Sequence, residues 1–202
     1  MWHRGGELLH PENILRGLGV RPGWHVGDLG CGSCGHFTFP AARLVGGEGR
    51  VYAVDIQRPA LASIEKMARQ AQLWNIHPIW SDLDQRHATA IPKNSLDLTV
   101  LSNTLYLAGD PVAMLEEALR FTRPGGLLLI IEWRKEPSVL GPPLNERLSD
   151  EEIFSHVSNQ AHPIAWSDRF VAGHHHDGFV LQKGGMDQLE PTVLSLADPF
   201  RT

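Results

Sequence analysis

The chain has 202 residues, 42% of them hydrophobic and 20% charged, the composition of a single soluble globular domain rather than of a disordered or fibrous protein. Its net charge of −5, with no clustered run of Lys or Arg, disfavours a large nucleic-acid partner. No apolar run approaches the roughly 20 residues of a bilayer span. The opening MWHRGGELLHPENIL lacks a secretory pattern, and Cys31 and Cys34 are too few for a disulfide framework, so a cytoplasmic location is expected.

Short β-rich stretches alternate with helical ones, which predicts a parallel sheet covered by helices. A short helix is expected over Asn13–Leu18, then a first strand over Trp24–Leu29, a glycine-rich turn and a helix from His36 to Val45. Val51–Asp55 reads as the second strand, Pro59–Trp74 as a helix with apolar residues at helical spacing, and Pro78–Ser81 as a third strand. A polar, irregular connection over Asp82–Asn94 leads into a fourth strand at Leu96–Leu101. Asp110 followed by Pro111 starts a helix to about Thr122, Pro124-Gly125-Gly126 marks a turn, and Leu127–Trp133 is a fully buried fifth strand. Arg134–Arg147 is a proline- and charge-rich loop, and Ser149–Glu152 is a capping box opening a helix to about Asn159. Trp166–Ala172 and Gly178–Gln182 lie too close for a helical crossover and should pair as an antiparallel hairpin. Residues 1–183 are therefore expected to form one domain and 184–202 a weakly patterned tail.

The chemistry concentrates in Val26-Gly27-Asp28-Leu29-Gly30-Cys31-Gly32-Ser33-Cys34-Gly35, which follows a strand and opens a helix. Glycines there let the backbone turn tightly and let a ligand approach. Asp55, 20 residues after Gly35, ends the next strand, where a carboxylate can accept from both hydroxyls of a ribose. Gly30, Gly32, Gly35 and Asp55 also match the dinucleotide fingerprint, so the pattern alone fits NAD as well as S-adenosylmethionine. Asp28 favours the second, because a carboxylate at the mouth of the loop repels a pyrophosphate and attracts an ammonium. The closing hairpin and the lack of a second, substrate-carrying domain point the same way.

The ordered set DLGCGS, VYAVDIQ, SDLDQ, NSLDLTVLSNTLYL and RPGGLLLIIEW resembles class I S-adenosylmethionine-dependent methyltransferases over about Asn13–Lys183, most closely the small prokaryotic members related to the ubiquinone and menaquinone biosynthesis enzymes. The resemblance implies a Rossmann-like α/β three-layer sandwich with a seven-stranded sheet of order 3-2-1-4-5-7-6, strand 7 antiparallel. It also implies S-adenosylmethionine as cofactor, S-adenosylhomocysteine as product and a small-molecule or lipid-like acceptor. By position, Asp28, Gly30 and Gly32 would hold the methionine part, Asp55 the ribose, Ile56 a face of the adenine, Asp82 its exocyclic amine and the Leu83 N–H the adjoining ring nitrogen. Ser102 and Asn103 would line the methionine end and Tyr106 the transferring methyl. The family's usual third glycine is Cys34 here, with the glycine one place later at Gly35. A positive φ at Cys34 would cost about 1–2 kcal/mol.

No catalytic residue is assigned by these motifs. The candidates for base or acceptor contacts are Tyr106, His10 and Arg134, with Trp133 and the His174-His175-His176-Asp177 run beside them. The histidines and the Cys31/Cys34 pair could form a metal or redox site, but exposed turn histidines are common, and no metal is expected. The segments that build acceptor pockets are short, so the pocket is expected to be small, open or completed by a partner chain such as a homodimer mate. An NAD-dependent oxidoreductase and a non-catalytic S-adenosylmethionine-binding protein are the competing readings.

Overall fold

A computed structural model gives the fold and describes residues 9–158 and 164–184. Helix α1 (Pro11–Gly17) precedes β1 (His25–Leu29), α2 (Thr38–Val45), β2 (Arg50–Asp55), α3 (Arg58–Gln70) and β3 (Ile76–Trp80). Then follow β4 (Leu96–Ser102), α4 (Pro111–Phe121), β5 (Thr122–Trp133), α5 (Asp150–Ser158), β6 (Ile164–Gly173) and β7 (His176–Lys183). The strands form one seven-stranded sheet of order β3-β2-β1-β4-β5-β7-β6, in which β7 runs antiparallel to both neighbours. Fold class and strand order are those implied by the sequence. Most of the tail expected beyond residue 183, and Asn159 at the expected end of α5, lie outside the described residues.

The sheet is buried on both faces, which is why its central strands are apolar throughout. Along β5, Leu127, Leu129 and Ile131 join one core with α1, α2 and α3, while Leu128 and Ile130 join a second core with α4 and α5. This two-residue alternation sorts a continuous hydrophobic run between two layers.

Local signals act where the sequence puts them. The Asp110 carboxylate accepts from the Ala113 N–H at 3.0 Å, capping α4. Ser149 and Glu152 exchange bonds reciprocally, Glu152 N–H to Ser149 Oγ at 3.2 Å and Ser149 N–H to Glu152 Oε2 at 2.6 Å. Two boundaries differ. Helix α3 stops at Gln70 rather than Trp74, because Gln72 turns left-handed at φ 55°. Pro124-Gly125-Gly126 is a break inside β5, whose pairing with β4 jumps from Leu96↔Thr122 to Leu98↔Leu127.

At the amino-terminal edge of the sheet the buried Lys183 Nζ donates to Asn94 Oδ1 (2.7 Å), Leu119 O (2.6 Å) and Thr122 O (2.8 Å), tying β7 to the end of α4. Lys183→Met strands those acceptors, and we expect it to lower the unfolding free energy by about 2–4 kcal/mol in urea titrations. An unchanged midpoint and slope would show that the three contacts do not hold this edge.

Candidate active site

The strand order reverses between β1 and β4, so their carboxyl ends open a crevice where the following loops diverge. Thr104 bridges this point. Its hydroxyl lies within bonding distance of Leu29 O (3.2 Å) and Ser102 O (3.0 Å), one oxygen on each strand. Gly30 sits against it at φ 78°, and a Cβ there would fall 2.5 Å from the Thr104 hydroxyl, so residue 30 must be glycine. The Gly30 and Cys31 N–H groups both donate to Val54 O, fastening the loop to β2.

Gly32 has nothing within 4 Å of where its Cβ would be, leaving open space in front of the loop. The third left-handed glycine is Gly35, at φ 56°, packed on Ile64 and Phe39. Cys34 is exposed and is not among the described residues with positive φ, so the departure from the family pattern carries none of the backbone strain that a left-handed Cys would. Cys31 is buried, and burial with the nearby Asp28 and Asp55 pushes its thiol up, which disfavours a redox pair.

The predicted acids lie along three neighbouring strands. Asp28, in β1, is buried and accepts from Thr38 Oγ1 at 2.5 Å, fixing the start of α2. Burial lifts its carboxyl to about 6, so it is ionised at neutral pH. Asp55, ending β2, accepts from the Gly32 N–H (2.9 Å) and the Gln57 N–H (2.8 Å), which aims its carboxylate at the glycine loop. Each oxygen keeps a lone pair for a further donor. Asp82, past β3, is half-buried and accepts from the Asp84 N–H and the Gln85 side chain. Leu83 is buried beneath this turn. Ile56 is 54% exposed, with its carbonyl pinned by the Trp80 indole at 2.8 Å. An apolar side chain is thus held outward at the mouth.

Across the crevice, Ser102 and Asn103 follow β4. Asn103 combines a left-handed backbone, φ 54°, with a side-chain oxygen that is buried and has no hydrogen-bond partner. Its Nδ2 lies 3.1 Å from His176 Nε2, and the His176 ring stacks at 4.2 Å on Trp133. Strain and an orphaned acceptor at one residue are a signature of a functional position. Tyr106 is half-buried, and burial together with Glu132 and Glu146 pushes its phenol up.

The other candidates lie in the following surroundings. The Arg134 Nε donates to Asp177 Oδ1 at 3.1 Å, and Asp177 also takes Arg169 at 2.8 Å, so Arg134 braces the β6–β7 hairpin. His10 immediately precedes α1 without a side-chain capping bond, and α1 packs on α2. His174 and His175 form the hairpin turn and only His176 points inward. Among the described residues no group of three His, Cys, Asp or Glu side chains is arranged to hold a metal.

Two acids escaped the sequence reading. Glu132, one residue before the end of β5, accepts from the N–H groups of Leu105 (2.8 Å), Thr104 (3.1 Å) and Tyr106 (3.4 Å). The turn carrying Thr104 and Tyr106 is thereby hung from one buried carboxyl. Asp84 accepts from the Gly109 N–H at 2.9 Å and ties the loop after β3 to the loop after β4. A Glu closing an otherwise apolar strand was the available signal for the first.

The family profile described as a methyltransferase domain matches residues 21–184. The chain belongs to that family. It is 36% identical over 134 residues to the ubiquinone/menaquinone biosynthesis C-methyltransferase UbiE of Pseudoalteromonas translucida, covering 65% of this chain and 51% of that one. It is 28% identical over 130 residues to a demethylmenaquinone methyltransferase of Geobacillus stearothermophilus, covering 64% and 53%. The chain thus spans about half the length of the curated relatives it matches. A crystal structure of a SAM-dependent methyltransferase from Aquifex aeolicus superposes with a TM-score of 0.77 at 26% identity, covering 86% of this chain and 89% of that one.

Burial pushes the Glu132 carboxyl from its ordinary 4.5 up to about 7, against the pull of its N–H donors. A carboxyl raised on folding stabilises the folded state while protonated, and that contribution is lost as pH rises from about 4.5 through 7. Glu132→Gln keeps an acceptor and removes the charge. Between about pH 5 and 8 the wild-type protein should therefore lose about 2–3 kcal/mol of unfolding free energy relative to this variant. Parallel stability profiles in urea would contradict the assignment.

Proposed function

We propose that the chain is an S-adenosylmethionine-dependent methyltransferase acting on a small, lipid-like acceptor. One observation carries this: Asp28, Asp55 and Asp82 lie at the carboxyl ends of three adjacent strands, and the Asp55 carboxylate accepts from the N–H of Gly32, in front of which there is open space. S-adenosylmethionine offers such a row donors at the matching places, namely an ammonium, two ribose hydroxyls and an exocyclic amine, with a single carboxylate beside the ammonium. A dinucleotide would bring a pyrophosphate to the same carboxylates, and we place NAD second for that reason. The non-catalytic reading rested on Cys34, whose backbone has no positive φ and whose side chain is exposed, and it stands third.

On this reading Gly30 and Gly32 pass the backbone beneath the methionine part, with Asp28 supplying field from below. Asp55 takes the ribose, Ile56 flanks the adenine, and Asp82 with the Leu83 N–H reads its edge. Ser102 and Asn103 complete the methionine end, where the Asn103 oxygen still lacks a donor. When bound, the cofactor supplies a sulfonium-activated methyl group, which an acceptor nucleophile takes by in-line displacement. The chain's task is alignment and exclusion of water, which can contribute roughly 7–11 kcal/mol. Tyr106 and Trp133 border the acceptor side, and Glu132 holds the Tyr106 turn in register. No general base is needed unless the acceptor must lose a proton. The names of the quinone-biosynthesis relatives support a lipid-like acceptor. One domain over residues 9–183 would house the whole site.

Calorimetry tests this directly. S-adenosylhomocysteine should bind the purified chain, NAD should not, and Asp55→Ala should weaken S-adenosylhomocysteine by about tenfold or more, as for loss of a charge-assisted bond. Labelled S-adenosylmethionine should then transfer radioactivity to a lipid extract. Tight NAD binding without S-adenosylhomocysteine binding would overturn the proposal.

A further inference from the structure

The loop between β5 and α5 is built in an unusual way. Its backbone is locked from inside by Arg147, which is only 3% exposed. The guanidinium donates to four carbonyls of the loop: Pro142 (2.9 Å), Arg134 (3.0 Å), Glu136 (2.8 Å) and Leu140 (2.6 Å). Gly141 lies flat on the Trp133 ring, where a Cβ would come within 2.6 Å of ring carbon. Pro137, Pro142 and Pro143 stiffen the chain further.

This fixed scaffold points its apolar side chains outward. Val139 is fully exposed, Leu140 and Leu144 are 44% and 43% exposed, and Leu107, on the loop after the neighbouring parallel strand β4, is 67% exposed. From Pro137 to Asn145 there is no charged residue. At its base Lys135 pairs with Glu152 and Arg134 with Asp177, while the exposed carboxylates of Glu136 and Glu146 flank the uncharged stretch on either side. A loop that merely connected two elements would gain by exposing polar side chains. Here buried hydrogen bonds hold valine and leucine in water, beside the mouth of the active site.

We propose that residues 137–145, with Leu107, form a docking lip for the electrically neutral surface of a lipid bilayer, from which the acceptor is taken up. The inference rests on the lipid-like acceptor proposed above. An acceptor dissolved in a bilayer can be reached from the bilayer surface by a lip that docks there. Single protruding side chains on a rigid, uncharged tip suit insertion into a deformable apolar phase. A second protein would require a broad complementary face of roughly 800 Å² on each partner, more than the four exposed side chains Val139, Leu140, Leu144 and Leu107 supply.

The test is co-sedimentation of the full chain with phosphatidylcholine vesicles free of anionic lipid. The wild-type protein is expected to pellet with the vesicles, and to do so equally at high salt because no charge pairing is involved. Val139→Asp should lower the partition coefficient by roughly tenfold, and Val139→Asp with Leu144→Asp by more, since each change removes apolar area and adds a charge. Neither position belongs to the cofactor site, so S-adenosylhomocysteine affinity should stay unchanged in both variants. A wild-type protein that stays in the supernatant, or variants that pellet as the wild type does, would overturn the lip. So would Val139-dependent self-association in sedimentation velocity without vesicle binding, which would give the surface to a second copy. Vesicle binding that disappears in the variants, in a protein that ignores S-adenosylhomocysteine, would uphold the lip and remove the methyltransferase reading.

Discussion

Thr104 holds together the two strands that part company at the centre of the sheet. Its hydroxyl lies within bonding distance of the last carbonyl of β1 and the last carbonyl of β4, and its backbone N–H is one of those gathered by Glu132. Because it fills that corner, residue 30 has no room for a side chain and the loop after β1 is forced into its turn. The site follows from this constraint. The glycine loop is pinned on one side by Val54 O and Asp55 and bounded on the other by Thr104, with the open space at Gly32 between them.

The two halves of the crevice differ in character for a topological reason. Strands β1, β2 and β3 each deliver an Asp to the carboxyl edge, so one half is a row of acceptors. Strands β4, β5 and β7 deliver Asn103, Trp133 and His176, so the other half is aromatic and nearly neutral, with Tyr106 beside it. The proposed cofactor would take the first half and the proposed acceptor the second. Glu132 and Arg147 position the second half without lining it: one hangs the turn after β4 from β5, the other freezes the loop after β5.

Features of short range were legible in the sequence. The Asp110-Pro111 start, the Ser149–Glu152 box and the period-two burial of β5 need only neighbours a few residues away to take effect. The end of α3 was not legible, because Ala71 continues the helical pattern while Gln72, rather than a glycine, makes the left-handed turn. In the glycine loop the sequence named the right residues but not their division of labour. Which of Cys34 and Gly35 is left-handed depends on packing against Ile64 and Phe39, more than 25 residues away in one case. Glu132, Asp84 and Arg147 act through backbone groups of loops brought close only by folding, and no local pattern announces them. Arg134 looked like a site residue for its place after β5, yet its partner Asp177 comes from the hairpin.

Amide hydrogen exchange with and without S-adenosylhomocysteine tests the central claim most directly, since it reports where the ligand sits rather than only whether it binds. The account predicts slowed exchange in 28–35, 55–58, 82–84 and 102–106, with the amino-terminal edge of the sheet unchanged. Protection confined to that opposite edge, or none in the glycine loop despite saturation, would contradict it.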